Sequence, residues 1–183
     1  MNTAPQPGLP LFTPEMIRTR VDTLADEIAR DYHDRAFTVV TILKGGFVFA
    51  ADLVRALSQR GIHPLVDFIA FSSYGSGTTS RRHVTLKQEP SLPVRNQPIL
   101  LVDDILDTGH TLQAAQHLLA SHGATEVRLC VLLDKPSRRE VPVTAHYTGF
   151  QIENVFVVGY GLDYDNRYRE LPYLTVLTPG EPT

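Results

Sequence analysis

The stretch PILLVDDILDTGHTLQAAQHLLASHG, residues 98–123, decides the fold. An apolar run ends in the acid pair Asp103-Asp104, a turn carries Asp107 and Thr108-Gly109, and a helical pattern follows until Gly123 stops it. A strand that is apolar along its whole length is buried on both faces, the mark of a parallel sheet covered by helices. Ligands of such sheets bind outside the carboxyl ends of the strands, where this acid pair stands. Thr108-Gly109-His110-Thr111 enters the helix, so free backbone N–H groups, two hydroxyls and the positive end of the helix dipole converge on a volume that suits a phosphate monoester. A ligand with a phosphate at one end and hydroxyls beside two carboxylates is a phosphorylated sugar. The carboxylates alone are equally compatible with simple capping; the whole order of strand, acid pair, Asp107 and Thr-Gly-x-Thr favours a site. The loop is not a Walker A loop, because no Gly-Lys-Ser/Thr tripeptide is present.

The same rhythm runs outward from this stretch. FTVVTIL (37–43) is a β-branched strand ending in Lys44-Gly45-Gly46, and FVFAADLVRALSQR continues at helical spacing to Gly61. PLVDFIAF (64–71) and EVRLCVLLD (126–134) are further strands. Upstream, Thr13-Pro14 supplies an N-cap and a first helical residue, with Ile17, Val21, Leu24 and Ile28 on one face. Strands alternating with helices predict a doubly wound, mostly parallel α/β sheet. Beyond Lys135 the rhythm changes to two short apolar runs, VFVVGYGL and YLTVL, with no helix between them, which predicts a small hood over residues 135–183. Residues 1–12 read as a loose arm, and residues 72–98 are too long for a structural connection and rich in Gly, Ser and Thr at their start. That segment is either a mobile lid, the reading preferred for a long loop in a compact chain, or a two-stranded excursion. With 183 residues, 43% of them hydrophobic, one domain over residues 1–183 is expected.

Composition excludes several classes. The lone Cys130 sits in an apolar run, so neither a disulfide framework nor a cysteine metal site is available. The opening MNTAPQPGLPLFTP lacks the basic and apolar regions of a leader, and no run approaches a membrane span, so a cytoplasmic, membrane-free protein is expected. A net charge of -3 argues against non-specific nucleic-acid binding. The seven histidines show no metal-ligand pair at helical spacing.

LLVDDILDTGHTL resembles the phosphoribosyl pyrophosphate signature of the type I phosphoribosyltransferases, and four further segments resemble the hypoxanthine-guanine branch of that family. LKGG (43–46) is similar to its pyrophosphate loop, SSYGSG (72–77) to the start of its lid, DKPSRR (134–139) to its base-contacting lysine segment, and VFVVGYGLDYDNRYRE (155–170) to its hood. The resemblance runs from about residue 37 to 177 in the family's order. It implies a purine salvage enzyme that transfers the phosphoribosyl group to a 6-oxopurine base, hypoxanthine or guanine, and that is a homodimer or homotetramer. By the same resemblance Asp103 and Asp104 would hold the ribose hydroxyls, directly or through Mg²⁺, and Asp107 would serve N7 of the base as general acid or base. Thr108, Gly109, His110 and Thr111 would cradle the 5'-phosphate. Lys44 and Gly45 would contact pyrophosphate across a strained peptide, with Arg169 adding positive charge, and Ser73 and Tyr74 would open the lid. Lys135 would donate to the 6-oxo group, Phe156 would stack on the base, Val157 would offer backbone contacts, and Asp163 would ligate a second Mg²⁺. Two departures stand out: Asp103 occupies a place where many members have Glu, and His110 one that is often Lys in mammalian members, which makes phosphate affinity open to pH near neutrality.

From spacing alone, Lys44 and Lys135 read first as solvated lysines at strand ends, and Asp163 equally as a turn residue. Arg81 and Arg82 either contact phosphate or keep the long segment soluble. Two other functions share parts of the pattern: an RNA-binding regulator of the pyrimidine-attenuator kind on the same fold, and a phospho-acceptor signalling domain. The purine-type base segment argues against the first. The position of the acids after a middle strand argues against the second.

Overall fold

The computed structural model describes residues 7–74 and 83–177. Its centre is a six-stranded sheet in the order β4-β3-β2-β5-β6-β7, built from β2 (Thr38–Leu43), β3 (Leu65–Tyr74), β4 (His83–Gln88), β5 (Pro98–Leu106), β6 (Glu126–Asp134) and β7 (Tyr147–Gln151). All neighbours are parallel except β3 and β4. Helices α1 (Pro14–Asp31) and α2 (Phe47–Ser58) cover one face, and α3 (His110–Ser121) covers the other. Alternating side chains of the same strands feed both layers. Val39, Leu100, Val102, Cys130 and Leu132 pack under α1 and α2, while Val40, Leu101, Leu129 and Val131 pack under α3. This is why β2, β5 and β6 read as unbroken apolar runs.

α1 begins where the sequence places it. The Thr13 hydroxyl accepts the Met16 N–H at 3.3 Å, Pro14 fills the first turn, and Ile17, Val21, Leu24 and Ile28 are buried. The chain runs from β2 outward to β3 on one side, and from β5 outward to β6 and β7 on the other. The reversal between β2 and β5 creates a crevice at their carboxyl ends.

Three expectations need correction. Pro7–Phe12 is not a loose arm but strand β1, antiparallel to β9 (Leu174–Leu177), which in turn pairs with β8 (Val157–Val158) to form a three-stranded hood sheet. Its prolines are tolerated because β1 is an edge strand with an irregular register. The Phe12 ring stacks on Phe150 at 4.0 Å, which ties the hood to the main sheet. The second correction is β7, which joins the main sheet where only hood was expected; Gly149 permits it, since a Cβ there would lie 2.3 Å from the Leu132 carbonyl oxygen. Third, the described part of the long segment from residue 72 forms strand rather than loop over residues 72–74 and 83–88. β3 continues to Tyr74, β4 pairs back on it, and Val94 is buried, so the two-stranded reading holds for the described part. Residues 1–6 of the arm, and residues 75–82 with Arg81 and Arg82, lie outside the described residues.

Asp67 anchors the return from β4. Its buried carboxylate accepts the N–H groups of Phe68, Ser91 and Leu92 at 2.8, 2.7 and 2.7 Å and the Ser91 hydroxyl at 2.9 Å. Burial pushes its pKa up, but those donors outweigh burial and hold it below the usual carboxylate range. The folded state therefore binds this proton more weakly than the unfolded chain. The stability it contributes is complete above the ordinary aspartate pKa and is lost as pH falls through the folded one. Asp67→Asn should cost about 1–3 kcal/mol at neutral pH, and the gap from the parent should narrow as denaturant melts are moved to acid. A gap independent of pH would show that the carboxylate charge is not what holds the turn.

Candidate active site

The crevice at the ends of β2 and β5 holds a cavity of about 240 Å³ whose walls include Gly45, Asp103, Asp104, Asp107, Thr108 and Thr111. β2 delivers Gly45 after a cis Leu43–Lys44 peptide, and α2 starts at Gly46. β5 delivers the acid pair. Asp103 is only 7% exposed, and its Oδ1 accepts the Asp104 N–H at 3.0 Å. Loss of water raises the pKa of Asp103 well above the aspartate range, and the neighbouring Asp104 charge adds to that shift. Burial raises Asp104 as well, offset by hydrogen bonds and by the Arg169 guanidinium. Two crowded carboxylates whose ionised forms are both disfavoured are primed for a cation or for hydroxyl donors.

The fit between Gly45 and Asp104 leaves no slack. A Cβ at Gly45 would lie 2.0 Å from Asp104 Oδ2, and one at Gly161 would lie 2.2 Å from the Gly45 carbonyl oxygen. Gly161 is held at φ 101°, a conformation open to glycine, and belongs to the hood segment that also carries Arg169. Arg169 donates to the Gly161 carbonyl at 2.6 Å and pairs with Asp163 at 2.7 Å.

The turn after β5 forms an anion cradle. Gly109 takes φ 94°, and α3 starts immediately after it. Backbone N–H groups of residues 107–111 have no acceptor among the described residues, whereas the carbonyls of residues 106–108 take donors from across the loop and that of Gly109 takes the Gln113 N–H of α3. Unpaired N–H groups gathered at a helix start bind anions. Thr108 is buried at the cavity wall, but the His110 ring turns away to Glu140, Nε2 to Oε2 at 2.9 Å, and does not line the cavity.

The remaining sequence-predicted residues do not line this cavity. Lys135 is only 6% exposed and carries the β5–β6 ladder past the strand ends, its N–H donating to the Leu106 carbonyl at 3.0 Å. Its ammonium has no hydrogen-bond partner among the described residues; burial lowers its pKa and the Asp107 charge works the other way. Phe156 is exposed beside Tyr164, ring centroids 5.9 Å apart and edge to face, while Val157 is buried in β8. The Lys44 side chain is exposed. Both oxygens of Asp163 have protein partners, Arg169 and the Asn166 N–H at 2.7 Å, so it stands apart from the acid pair as a metal ligand. Ser73 and Tyr74 end β3. No group of three or more metal-ligating side chains occurs among the described residues. Sequence reasoning missed the roles of Arg138, Arg139, Glu140 and Gly161. Arg138 and Arg139 lay in view inside DKPSRR, but nothing in their spacing says which loop they face.

Residues 13–165 match the model of the phosphoribosyl transferase domain. The chain belongs to the phosphoribosyl transferase family. Within it, the chain is 41% identical over 160 residues to the hypoxanthine phosphoribosyltransferase of Escherichia coli K12, covering 86% of this chain and 88% of that protein. It is 38% identical over 175 residues to the hypoxanthine-guanine phosphoribosyltransferase of Mycobacterium tuberculosis H37Rv, covering 92% and 85%. A crystal structure of a hypoxanthine-guanine phosphoribosyltransferase from Bacillus anthracis, with HEPES in its active site, superposes with a TM-score of 0.89 at 37% identity, covering 94% of this chain and all of that one. The α/β fold with its mostly parallel sheet is thus the fold of these phosphoribosyltransferases.

Gly45→Ala tests the tight corner of this site. The new methyl group has to displace the Asp104 carboxylate while the surrounding core is untouched. The variant should melt within a few degrees of the parent, and kcat/KM of the transfer reaction should fall by roughly 10². Full activity would mean that Asp104 has room to move.

Proposed function

We propose that this phosphoribosyltransferase moves the 5-phosphoribosyl group of phosphoribosyl pyrophosphate onto hypoxanthine or guanine, releasing pyrophosphate and forming IMP or GMP in purine salvage. The observation that carries the reading is a cradle of N–H groups without acceptors among the described residues, on the wall of the same cavity as the acid pair Asp103-Asp104, together with the buried Lys135, whose ammonium has no hydrogen-bond partner among those residues. The purine transferases among its relatives favour the same reading over the RNA-binding one.

Displacement at the anomeric carbon builds positive charge on the ribose ring, so the protein's task is to hold the base in line and stabilise the leaving group. Residues 107–111 receive the 5'-phosphate on their backbone N–H groups, His110 taking part through its N–H while its ring stays with Glu140. Asp103 and Asp104 orient the ribose hydroxyls. Asp107 takes or returns the proton at N7, Lys135 donates to the 6-oxo group, Phe156 covers the ring, and the Val157 backbone lines its edge. Lys44, Gly45 and Arg169 face the pyrophosphate. Asp103 and Asp104 are hard oxygen donors of the kind Mg²⁺ takes and would hold the ion, and Asp163, whose oxygens already pair with Arg169 and the Asn166 N–H, would serve a second ion only through the lone pairs those bonds leave. Bound there, Mg²⁺ would neutralise charge on the pyrophosphate. Ser73 and Tyr74, at the end of β3, open the segment 72–98 read as the lid.

The domain boundary of the reading is the whole chain, residues 1–183, with the cytoplasm as its compartment. No helix among the described residues is long and apolar enough to cross a membrane. Homodimer or homotetramer formation has support in the exposed Leu65, Val66 and Phe68 of β3.

An absorbance assay with phosphoribosyl pyrophosphate, Mg²⁺ and a panel of free bases tests the reading, and turnover of hypoxanthine or guanine well above adenine and uracil is expected. Asp107→Asn keeps the shape but removes the proton acceptor, so turnover should fall by roughly 10². The Lys135 ammonium has donors only, and a buried donor facing the 6-amino group of adenine is unpaired at a cost of about 1–3 kcal/mol or more. Lys135→Met should therefore lower kcat/KM for hypoxanthine far more than the residual value for adenine. Unchanged base preference in that variant would remove Lys135 from recognition.

A further inference from the structure

A loop that turns its N–H groups toward an anion turns its carbonyls the other way, and there they need donors of their own. In this protein the side-chain and cross-loop donors to residues 106–108 come from one short strap, residues 138–141, which continues from the 3₁₀ turn Pro136–Arg138, while the Lys135 N–H also serves the Leu106 carbonyl and the Gln113 N–H serves that of Gly109. The Glu140 N–H donates to the Thr108 carbonyl at 3.0 Å. Arg139 does most of the rest. Its guanidinium donates to the Leu106 carbonyl at 3.1 Å, to the Asp107 carbonyl, and to the Asp134 carboxylate at the end of β6. Its side chain is 18% exposed, so these contacts are shielded from water. The strap also sets the space behind the cradle: a Cβ at Gly109 would lie 2.8 Å from Val141 Cγ2 and 3.3 Å from Arg139 Cδ. Arg138, one residue earlier, reaches the Asp107 carboxylate instead, at 3.2 Å.

We infer that Arg139 is the positioning residue of the phosphate cradle. It pins the carbonyls of residues 106 and 107 away from the cavity, so that the following N–H groups face the ligand, and it ties them to the strand end that bears Lys135. The inference rests on the phosphate reading of the cradle proposed above. Arg139 touches no reacting atom in this scheme; it acts through the backbone of the loop. A planar fork is needed, because one group has to serve two successive carbonyls and a carboxylate together. The compact ammonium of lysine does not match that span.

The test uses ribose 5-phosphate as the probe in calorimetric titrations, together with steady-state kinetics. The parent protein should bind the probe. Arg139→Met and Arg139→Lys should both bind it roughly tenfold or more weakly, with KM for phosphoribosyl pyrophosphate rising in proportion and KM for the base staying within about threefold. Adding methylguanidinium to Arg139→Ala should recover much of the lost affinity, a response that a general loss of packing does not give. If Arg139→Met fails to fold, the lysine variant and the rescued alanine variant carry the same comparison. A parent that ignores ribose 5-phosphate overturns the phosphate reading and this inference with it. A parent that binds the probe, beside folded variants that bind it equally well or that lose base and phosphate affinity alike, overturns the role of Arg139 alone.

Discussion

The contact between the Gly45 backbone and the Asp104 carboxylate is the constraint on which the rest of this structure depends. At that point the end of β2, the end of β5 and the hood meet, and two glycines, Gly45 and Gly161, have no room for a Cβ. The sheet order puts β2 and β5 side by side although the chain visits two other strands between them. That reversal brings a glycine loop against an acid pair from a distant part of the sequence. The hood then closes from above, with Arg169 lending positive charge to a corner already crowded with carboxylates. Crowding and loss of water make both carboxylates hold protons more tightly than usual, so a ligand or cation that neutralises them is favoured at this corner.

Polarity is divided with the same economy in the phosphate cradle. The carbonyls of residues 106–108 are satisfied from the far side of the loop and that of Gly109 from α3, while the N–H groups of residues 107–111 have no acceptor among the described residues. A cradle whose donors were paired within the protein would have to break those bonds to admit a ligand. One whose carbonyls were unpaired would be free to flip them toward the phosphate and repel it. Preorganisation here is a matter of which half of each peptide is given a partner.

The sheet strands and α1 were legible because burial on two faces leaves an unmistakable record in β2, β5 and β6, and because Thr13-Pro14 is a local signal of a helix start. The acid pair and the Thr-Gly turn were legible for a related reason: their chemistry is contained in a few consecutive residues. β1 and β7 were not. β1 carries Pro7 and Pro10 and leaves Leu9 almost wholly exposed, so its pairing with β9 is a tertiary event without a sequence period. β7, YTGFQ, mixes polar and small residues because a glycine has to press against the Leu132 carbonyl. Arg138 and Arg139 are neighbours in sequence, yet one meets a carboxylate and the other a row of carbonyls. Only the path of the strap decides which.

The register between β5 and β6 links the two halves of the substrate. Leu106 pairs with Asp134, and the next ladder bond runs from the Lys135 N–H to the Leu106 carbonyl. The residue proposed to read the base and the loop proposed to hold the phosphate therefore start from adjacent strand ends, whose separation is fixed by the hydrogen-bond spacing of a sheet at about 4.8 Å. A slip by one residue would reverse the facing of every side chain in β6 and expose its apolar set, so the core itself guards that distance. The strap is held instead by a few side-chain bonds, those of Arg138, Arg139 and Glu140, and by the packing of Val141. Tuning of the site by substitution is consequently open in the strap and the hood, and closed in the strands beneath them.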